Sequence, residues 1–261
     1  MLDRLTILKI GGSVITDKSK ILKPNLSSME NISKILKKFG SNLILVHGAG
    51  SFGHYYAQKY KLQNPYNSNS STGVSKTHEA VLSLNNLFVK KLNDHNVNIL
   101  SFPPMSIYDN GKINSNKKLF FTKIIKAGLI PLTFGDIVYD KSKFRIISGD
   151  EIIKDLSFLL KPRRVIFATA VDGIYLDPRD KKSLLHELDP IGNITPTFSN
   201  VKNDVTGGME KKVSEMIDIA KHGVDVHIVN GLKNTELIKA LKGENTAGSI
   251  IRGVKNRKNK K

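Results

Sequence analysis

One glycine-rich segment of the chain could bind an anion through its backbone. Residues 47–54 are His-Gly-Ala-Gly-Ser-Phe-Gly-His, and they follow the apolar run Leu43–Val46, which predicts a buried strand of a parallel sheet. Glycines let backbone N–H groups approach an anion closely, and a helix that follows would direct its N-terminal dipole at the same place. The segment therefore predicts a phosphate cradle with the imidazole of His54 at its end.

Two common nucleotide motifs come close to this segment but do not fit it. A dinucleotide fingerprint, G-x-G-x-x-G, requires an acidic residue about 20 positions further on. Residues 67–73 are polar here and contain no carboxylate. A Walker loop requires Lys followed by Ser or Thr, whereas this chain has His54 and Tyr55. The segment thus indicates phosphate chemistry of another kind.

Two further glycine turns with nearby cations strengthen this prediction. Gly11, Gly12 and Ser13 follow the predicted first strand, with Lys9 at the strand end and Lys18 beyond the turn. Residues 206–212, which contain Gly208 and Lys212, open a predicted helix. Its apolar residues recur at helical spacing: Val213, Met216, Ile217 and Ala220. One such turn alone is usually only a tight turn, but three together predict a single polyphosphate ligand held from several sides.

Alternating strand and helix patterns predict the elements that position these residues. A capping box at residues 27–30 predicts a helix that Gly40 ends, and a long helix is predicted at about 74–94. Short apolar runs predict strands at residues 43–46, 97–100, 129–134, 144–147, 165–168 and 224–229, separated by helical patterns such as 151–160 and 235–241. Residues 139–144 predict a hairpin turn.

This alternation predicts an α/β fold, an open αβα sandwich with a mostly parallel central sheet. Ligands should then lie beyond the carboxyl ends of the strands, where the glycine turns fall.

Five motifs occur in the order seen in the amino acid kinase superfamily: Lys9–Ser13, His47–His54, Ser148–Asp150, Val171–Gly173 and Gly207–Met209. The resemblance extends over nearly the whole chain, from Lys9 to the closing residues 246–250. Within the superfamily, the form HGAGSFGH with its terminal His54 resembles the isopentenyl phosphate kinases. One departure concerns Ala170, because many relatives have Asp there. Contact with the nucleotide at this point would have to come from the backbone or from Tyr175.

The resemblance implies an ATP-dependent kinase of one domain over residues 1–254. It would convert isopentenyl phosphate to the diphosphate for isoprenoid synthesis, as in the mevalonate pathway. The N-terminal lobe, about 1–160, would bind the acceptor, and the C-terminal lobe, about 161–254, would bind the nucleotide. The resemblance also implies a homodimer. Mg²⁺ would accompany ATP and be bound through phosphates and water rather than by a carboxylate cage.

The chemistry of such a transfer agrees with the residue types. A phosphate monoester is already largely dianionic at neutral pH, so it needs no general base. Catalysis then depends on positioning and on neutralising charge. We expect Lys9 and Lys18 to neutralise the transferred phosphoryl group, His54 to hold the acceptor phosphate, and Asp150 to orient the lysines. These four are the predicted catalytic residues.

The remaining predicted site residues bind the two substrates. The nucleotide would contact Lys9, Gly11, Gly12, Ser13, Ala170, Tyr175, Gly208 and Lys212. The acceptor would contact backbone amides around Gly48, Ala49, Gly53 and Gly149, together with His54. A prenyl tail would need an apolar pocket, with Tyr55, Val74, Ile147 and residues 77–88 as candidates.

Composition limits the alternatives. The net charge of +18 is spread along the sequence, except for the dense basic run at 255–261, which we interpret as a disordered tail. No aromatic-interleaved basic segment indicates an RNA platform, so nucleic acid is not an expected partner. The sequence has no cysteine, no apolar run of 18 residues and no charged-then-apolar leader. These features predict no membrane span and a cytoplasmic location.

Other functions remain open at this point. Another phosphate or phosphonate kinase, for fosfomycin or UMP, would use the same cradle. An amino acid acceptor such as N-acetylglutamate would need an arginine clamp, and only Arg145 lies close to Gly149 in the sequence. A non-catalytic nucleotide- or RNA-binding protein is the alternative from another class.

Ordinary structural roles are also open for several of these residues. Asp150 is equally able to cap a helix beginning near Glu151. Asp172-Gly173 is also typical of a plain turn. His47 is expected to be a structural residue at its strand end. The other histidines, 78, 95, 186, 222 and 227, have no paired context in the sequence and are assigned no metal.

Overall fold

The computed structural model describes residues 4–40, 42–62, 70–192 and 208–254. The strands are β1 Thr6–Ile10, β2 Leu43–His47, β3 Ile99–Ser101, β4 Tyr108–Asp109, β5 Lys112–Ile113, β6 Ile130–Phe134, β7 Asp136–Asp140, β8 Lys143–Ile147, β9 Arg164–Thr169, β10 Ile174–Tyr175, β11 Leu184–Leu185, β12 Glu187–Leu188, β13 Asp225–Asn230 and β14 Ser249–Ile251. The α-helices are α1 Gly12–Ile15, α2 Leu26–Leu36, α3 Gly50–Lys59, α4 Ser70–Asp94, α5 Lys117–Lys126, α6 Gly149–Leu160, α7 Gly208–Lys221 and α8 Asn234–Lys242.

Eight strands form the central sheet, in the order β12-β14-β13-β9-β1-β2-β6-β3. Every neighbouring pair is parallel except β13 and β14, which are antiparallel. The central strands β1 and β2 are buried along their whole length, as expected when helices cover both faces of a parallel sheet. The predicted α/β fold with a mostly parallel sheet is confirmed.

Helices cover both faces of this sheet. Successive side chains of a strand point to opposite faces, and Ile7 and Leu8 of β1 accordingly belong to two different hydrophobic clusters. The Ile7 cluster includes apolar residues of α5, α6 and α7, and the Leu8 cluster includes those of α1, α2, α4 and α8. The molecule is therefore an αβα sandwich.

Glycines follow the carboxyl ends of four strands, and their amides continue the strand pairing by one step. The N–H of Gly11 donates to Ala168, that of Gly48 to Ile10, that of Gly135 to His47 and that of Gly231 to Thr169, at 2.7–3.0 Å. At this edge of the sheet, the residue that follows each of these strands therefore has no side chain. This is the edge at which the sequence predicts ligand binding.

The start of α2 differs from the prediction. Asn25, not Ser27, is the N-cap, and its side chain accepts a hydrogen bond from the Ser28 amide at 3.1 Å. Glu30, the predicted partner in a capping box, instead binds Lys91 of α4 at 3.1 Å and His95, the residue after α4, at 2.7 Å. The tertiary contact with α4 therefore takes the carboxylate that local sequence assigned to the cap.

Other predicted elements are confirmed with small changes. The long helix α4 begins at residue 70 rather than about 74, and α6 begins at Gly149 rather than Glu151. The strands β7 and β8 form the predicted hairpin, whose turn residues Lys141 and Ser142 both have positive φ. The two-lobe division near residue 160 stays a prediction, and the basic segment 255–261 lies outside the described residues. None of the described helices is long and apolar enough to cross a membrane.

Candidate active site

The first two glycine segments lie directly against each other. A Cβ atom placed on Gly48 would lie 2.6 Å from the amide nitrogen of Gly12, and one on Gly12 would collide with the backbone of Gly50. Gly50 has a φ of +54°, a conformation that favours glycine. The turns after β1 and β2 therefore touch backbone to backbone, which no residue with a side chain would permit. We name Gly12, Gly48, Gly50, Gly135 and Gly149 the glycine edge.

Thr16 holds these two turns together. Its hydroxyl donates to the carbonyl of Gly12 at 2.7 Å and accepts from the amide of Ser51 at 3.0 Å. The residue is buried, so both hydrogen bonds are shielded from water. One side chain thus fixes the position of α1 relative to the start of α3.

A buried ion pair lies beside the glycine edge. The Nζ atom of Lys9 is 2.6 Å from Oδ1 of Asp150, and each side chain is less than a tenth exposed. Ser148, rather than Asp150, caps α6, because its hydroxyl accepts from the Glu151 amide at 3.0 Å. Asp150 is thereby released to bind Lys9, which excludes the plain capping role for Asp150.

Gly149 allows Lys9 to reach Asp150. A Cβ on Gly149 would lie 3.1 Å from Cε of Lys9 and 3.3 Å from the carbonyl oxygen of His47. The N-terminus of α6 is therefore in contact with the lysine stem. A side chain at position 149 would push Lys9 away from its partner.

The predicted acceptor cradle is partly helical. This corrects the expectation that the amides of Gly48 and Gly53 bind the acceptor phosphate. The helix α3 begins at Gly50, so His54 lies in its second turn. The amide of Gly48 donates to Ile10 and that of Gly53 to Ala49, so neither is available to a phosphate. Their glycines instead permit close packing, and Gly53 faces Val81 of α4. Anion-binding amides would have to come from the first turn of α3, near Ala49, and from the first turn of α6.

His47 has the structural role expected of it. It is fully buried, with its ring stacked on Phe134 and edge-on to Phe88. Burial lowers its pKa from 6.5 to about 4, so the ring is neutral at physiological pH. Nδ1 lies 3.0 Å from the Gly48 carbonyl, which fixes the strand end.

Two residues that were predicted to bind the nucleotide, Ser13 and Ala170, line a cleft of about 600 Å³. Ser13, Lys18 and Ala170 all line it, together with Lys23. We name this surface the lysine cleft. Lys18 is exposed here, and the segment that carries it is anchored by a hydrogen bond from the Asp17 amide to the Lys23 carbonyl at 2.9 Å.

Next to Ala170, a hydrogen-bonded cluster joins the ends of β9 and β13. Asp172 accepts from Asn230 at 2.9 Å and lies 2.7 Å from Nζ of Lys233. These hydrogen bonds, first that of Lys233, lower the pKa of Asp172. Asp172 is therefore more than a turn residue. Tyr175 lies close enough for its phenol to raise the pKa of Lys233 slightly, after the larger effect of Asp172.

The third glycine segment leads into α7, which packs on α6. The helix begins at Gly208, and Lys212 is half-buried in its second turn, while Gly207 lies outside the described residues. Glu215, three residues after Lys212, is buried, and its carboxyl group lies near that of Asp150. Burial first, and then Asp150, raises the pKa of Glu215 from 4.5 to about 7. The middle of α7 thus lies near the start of α6.

The predicted tail pocket is only partly supported. Tyr55 and Val74 are half-buried on the neighbouring helices α3 and α4. Ile147, in contrast, has no exposed surface and packs in the hydrophobic core beneath α6. Ile147 is therefore a core residue.

A known family has this combination of fold and motifs. Its model, described as the amino acid kinase family, matches residues 4–230. The chain belongs to the amino acid kinase family.

Relatives within this family carry one recurrent name. Isopentenyl phosphate kinase of Thermoplasma acidophilum is 36% identical over 95% of this chain and all of its own length. The enzyme of the same name from Methanothermobacter thermautotrophicus is 33% identical over 95% of this chain and 99% of its own. A solved structure of an isopentenyl phosphate kinase substrate complex superposes with a TM-score of 0.79 at 31% identity, covering 95% of this chain and 100% of that one.

Several charged groups near these family motifs are not evident from the sequence. Lys233 and Asn230 reach Asp172 only because β9 and β13 are neighbours in the sheet. Glu215 is buried because α7 packs on α6. His78 binds Asp136, and His95 binds Glu30, although the sequence indicates no partner for either histidine. The spacing N-G-x-K after an apolar strand is the one signal that could have indicated Lys233.

Proposed function

We propose that this protein transfers the γ-phosphoryl group of ATP to isopentenyl phosphate and forms isopentenyl diphosphate for isoprenoid synthesis. The observation that carries the proposal is the buried Lys9–Asp150 pair at the first turn of α6, next to the end of β2 that leads into α3. A buried cation beside a helix N-terminus suits a site where two phosphates must approach each other. The relatives named above support the choice of acceptor.

The acceptor needs little chemical activation in this mechanism. Its phosphate is largely dianionic at neutral pH and attacks the γ-phosphorus in line, while ADP leaves. Lys9 neutralises charge on the transferred group, and Asp150 holds Lys9 in place. His54 and first-turn amides near Ala49 and Gly149 hold the acceptor phosphate. Tyr55 and Val74 would contact its prenyl tail.

ATP would bind in and beside the lysine cleft. Lys18 would reach the γ-phosphate, and Gly11, Gly12 and Ser13 would let the backbone approach the phosphates. Lys212 and the Gly208 amide would hold them from α7. Ala170 has no polar side chain, so the nucleoside would contact its backbone and Tyr175.

Mg²⁺ is part of the proposal because it would accompany ATP and neutralise charge on the nucleotide. Among the described residues, no cluster of three or more His, Cys, Asp or Glu side chains could hold a metal by itself. Asp150 is already bound to Lys9. The described part of the site therefore suits a Mg²⁺ ion that would be bound through phosphates and water.

We also propose a cytoplasmic homodimer acting in the mevalonate pathway. Support for association comes from the edge strand β3, which exposes Leu100, and from α4 beside it, which exposes Leu87. An uncovered strand edge with apolar side chains is a surface that a second copy can cover. The cysteine-free sequence suits a reducing compartment.

A coupled ADP-release assay with Mg-ATP tests the function. The acceptors are isopentenyl phosphate, dimethylallyl phosphate, fosfomycin, UMP and N-acetylglutamate. We expect kcat/KM to be highest for the short prenyl phosphates. A higher value for fosfomycin or UMP would refute the acceptor assignment, and RNA retention without any turnover would support the non-catalytic alternative.

His54→Ala provides the matching site test. We expect the change to lower kcat/KM for isopentenyl phosphate by about 100-fold, because a charged or polar donor to the acceptor phosphate is lost. The affinity for ATP, measured by calorimetry, should stay within twofold. Weaker ATP binding with transfer preserved would contradict the role given to His54.

A further inference from the structure

A second buried carboxylate lies near the candidate site and has no role in the mechanism above. The Asp136 side chain is completely buried, and its Oδ2 accepts a hydrogen bond from Nδ1 of His78 at 2.6 Å. Its other oxygen, Oδ1, has no hydrogen-bond partner among the described residues. Burying this carboxyl group is costly: burial raises its pKa, although the hydrogen bond from His78 and the Ile137 amide oppose the shift.

Asp136 begins β7 at the glycine edge. The preceding residue, Gly135, donates its amide to His47 at 2.9 Å, and a Cβ on Gly135 would lie 3.0 Å from the amide nitrogen of Gly149. In the hairpin, Asp136 pairs with Ile147, two residues before Gly149. The carboxylate is thus attached to the backbone between the turn after β2 and the start of α6.

His78 connects this point to the helix that packs on α3. Gly73 of α4 lies against Tyr60, and Val81 of α4 lies against Gly53, so the two helices run side by side in opposite directions. His78 lies between these two contacts along α4. It is therefore on the segment of α4 that packs beside the first two turns of α3, where His54 lies.

The distance of 2.6 Å between Nδ1 of His78 and Oδ2 of Asp136 is typical of a charge-assisted hydrogen bond. The hydrogen bond to Asp136 raises the pKa of the His78 imidazole, partly opposed by desolvation, and burial raises the pKa of the Asp136 carboxyl group. The short hydrogen bond between the two side chains joins α4 to β7.

We propose that His78 and Asp136 are positioning residues for the acceptor: their pair sets the distance between His54 on α3 and the start of α6. The inference rests on the proposed function, because it assigns the acceptor phosphate to that gap. Loss of the pair should loosen acceptor binding and leave the lysine cleft unaffected, because neither His78 nor Asp136 lines that cleft.

Steady-state kinetics of three single variants and one double variant, His78→Ala with Asp136→Asn, test the proposal. We expect His78→Ala and Asp136→Asn each to raise the KM for isopentenyl phosphate about tenfold, the usual effect of losing a charge-assisted hydrogen bond. The KM for ATP should change less than twofold. His78→Asn should stay within about threefold of wild type, because its amide can donate from nearly the position of Nδ1. The double variant should be no worse than either single one.

Asp94→Asn is the matched control. It makes the same carboxylate-to-amide change on α4 but breaks the exposed Lys90–Asp94 pair at 3.0 Å, and both KM values should be unchanged. A lower melting temperature of the His78 or Asp136 variants with an unchanged acceptor KM would overturn the inference, as would equal losses in His78→Asn and His78→Ala. A wild-type protein that does not phosphorylate isopentenyl phosphate would instead refute the proposed function.

Discussion

The glycine edge and the lysine cleft, the two proposed phosphate sites, hold their lysines in different environments. At the glycine edge, Gly12, Gly48 and Gly50 touch backbone to backbone, and the adjacent Lys9 is buried and paired with Asp150. In the lysine cleft, Lys18 is exposed on a turn, and the space of about 600 Å³ is open.

The two lysines differ in how firmly the fold holds their side chains in place. A buried lysine with a fixed partner loses little freedom when a phosphate arrives, and its charge acts in a medium of low dielectric constant. An exposed lysine is hydrated, and ordering its side chain costs entropy. We therefore expect residues of the glycine edge to affect the transfer step and residues of the lysine cleft to affect mainly ATP affinity.

The largest expected effect is that of Lys9→Met. We expect kcat to fall by about 100- to 1000-fold, because a fixed transition-state donor is lost while Asp150 stays buried without its partner. The same change at Lys18 should lower kcat by about tenfold or less and raise the KM for ATP. Initial rates at saturating and limiting ATP separate the two effects.

The two variants test directly whether the buried Lys9 contributes more to the transfer step than the exposed Lys18. Equal losses of kcat in Lys9→Met and Lys18→Met would show that burial of the cation gives no advantage. Circular dichroism spectra and melting curves of both variants exclude unfolding as the cause.

Packing at the glycine edge gives an effect on stability of intermediate size. Gly48→Ala places a methyl group 2.6 Å from the Gly12 nitrogen, where only backbone could move. We expect it to lower the free energy of unfolding by about 2–3 kcal/mol, the typical cost of overpacking. Urea denaturation measures this.

Gly40→Ala is the control for this change. Gly40 has a positive φ, which Gly48 does not, and nothing lies within 4 Å of an added Cβ at Gly40. Its cost should be only the backbone strain of about 1 kcal/mol. If both variants lose the same stability, contact between the two turns does not constrain the fold.

The smallest expected effect concerns Glu215, whose pKa is raised from 4.5 to about 7 by burial and by Asp150. Between these pH values the unfolded chain has lost the proton that the folded protein keeps, so the free energy of unfolding falls as the pH rises. Above about pH 7 the folded protein carries a buried anion. Glu215→Gln should therefore be more stable than wild type by about 1–2 kcal/mol at pH 8.

Urea denaturation of wild type and Glu215→Gln at pH 5 and pH 8 measures this effect. The advantage of the variant should be much smaller at pH 5, where the folded wild type is also protonated at this position. An advantage independent of pH would mean that Glu215 does not titrate in this range.

Local sequence was sufficient for features that depend on short-range chemistry. The apolar runs predicted β1, β2, β6 and β9, because strands covered on both faces must be apolar throughout. The glycine turns predicted the ligand edge, since a backbone that approaches another backbone or an anion allows no side chain. The five motifs predicted the family, which the comparisons confirm.

Features that depend on contacts between distant segments were not predictable in this way. Local spacing placed the α2 cap at Ser27, whereas Glu30 is held by α4 and Asn25 is the cap. Gly48 and Gly53 were expected to donate amides to a phosphate, but strand pairing and the α3 helix use those amides.

The sequence by itself determined the order of strands and helices, the glycine positions and the presence of Lys9 and Asp150. Only the tertiary structure decided that Lys9 and Asp150 form one buried pair, that His78 reaches Asp136 and that Glu215 is buried near Asp150. The physical reason is that burial and pairing of charge depend on which helices pack together. Helix packing brings together residues that lie tens of positions apart, and no local pattern records it.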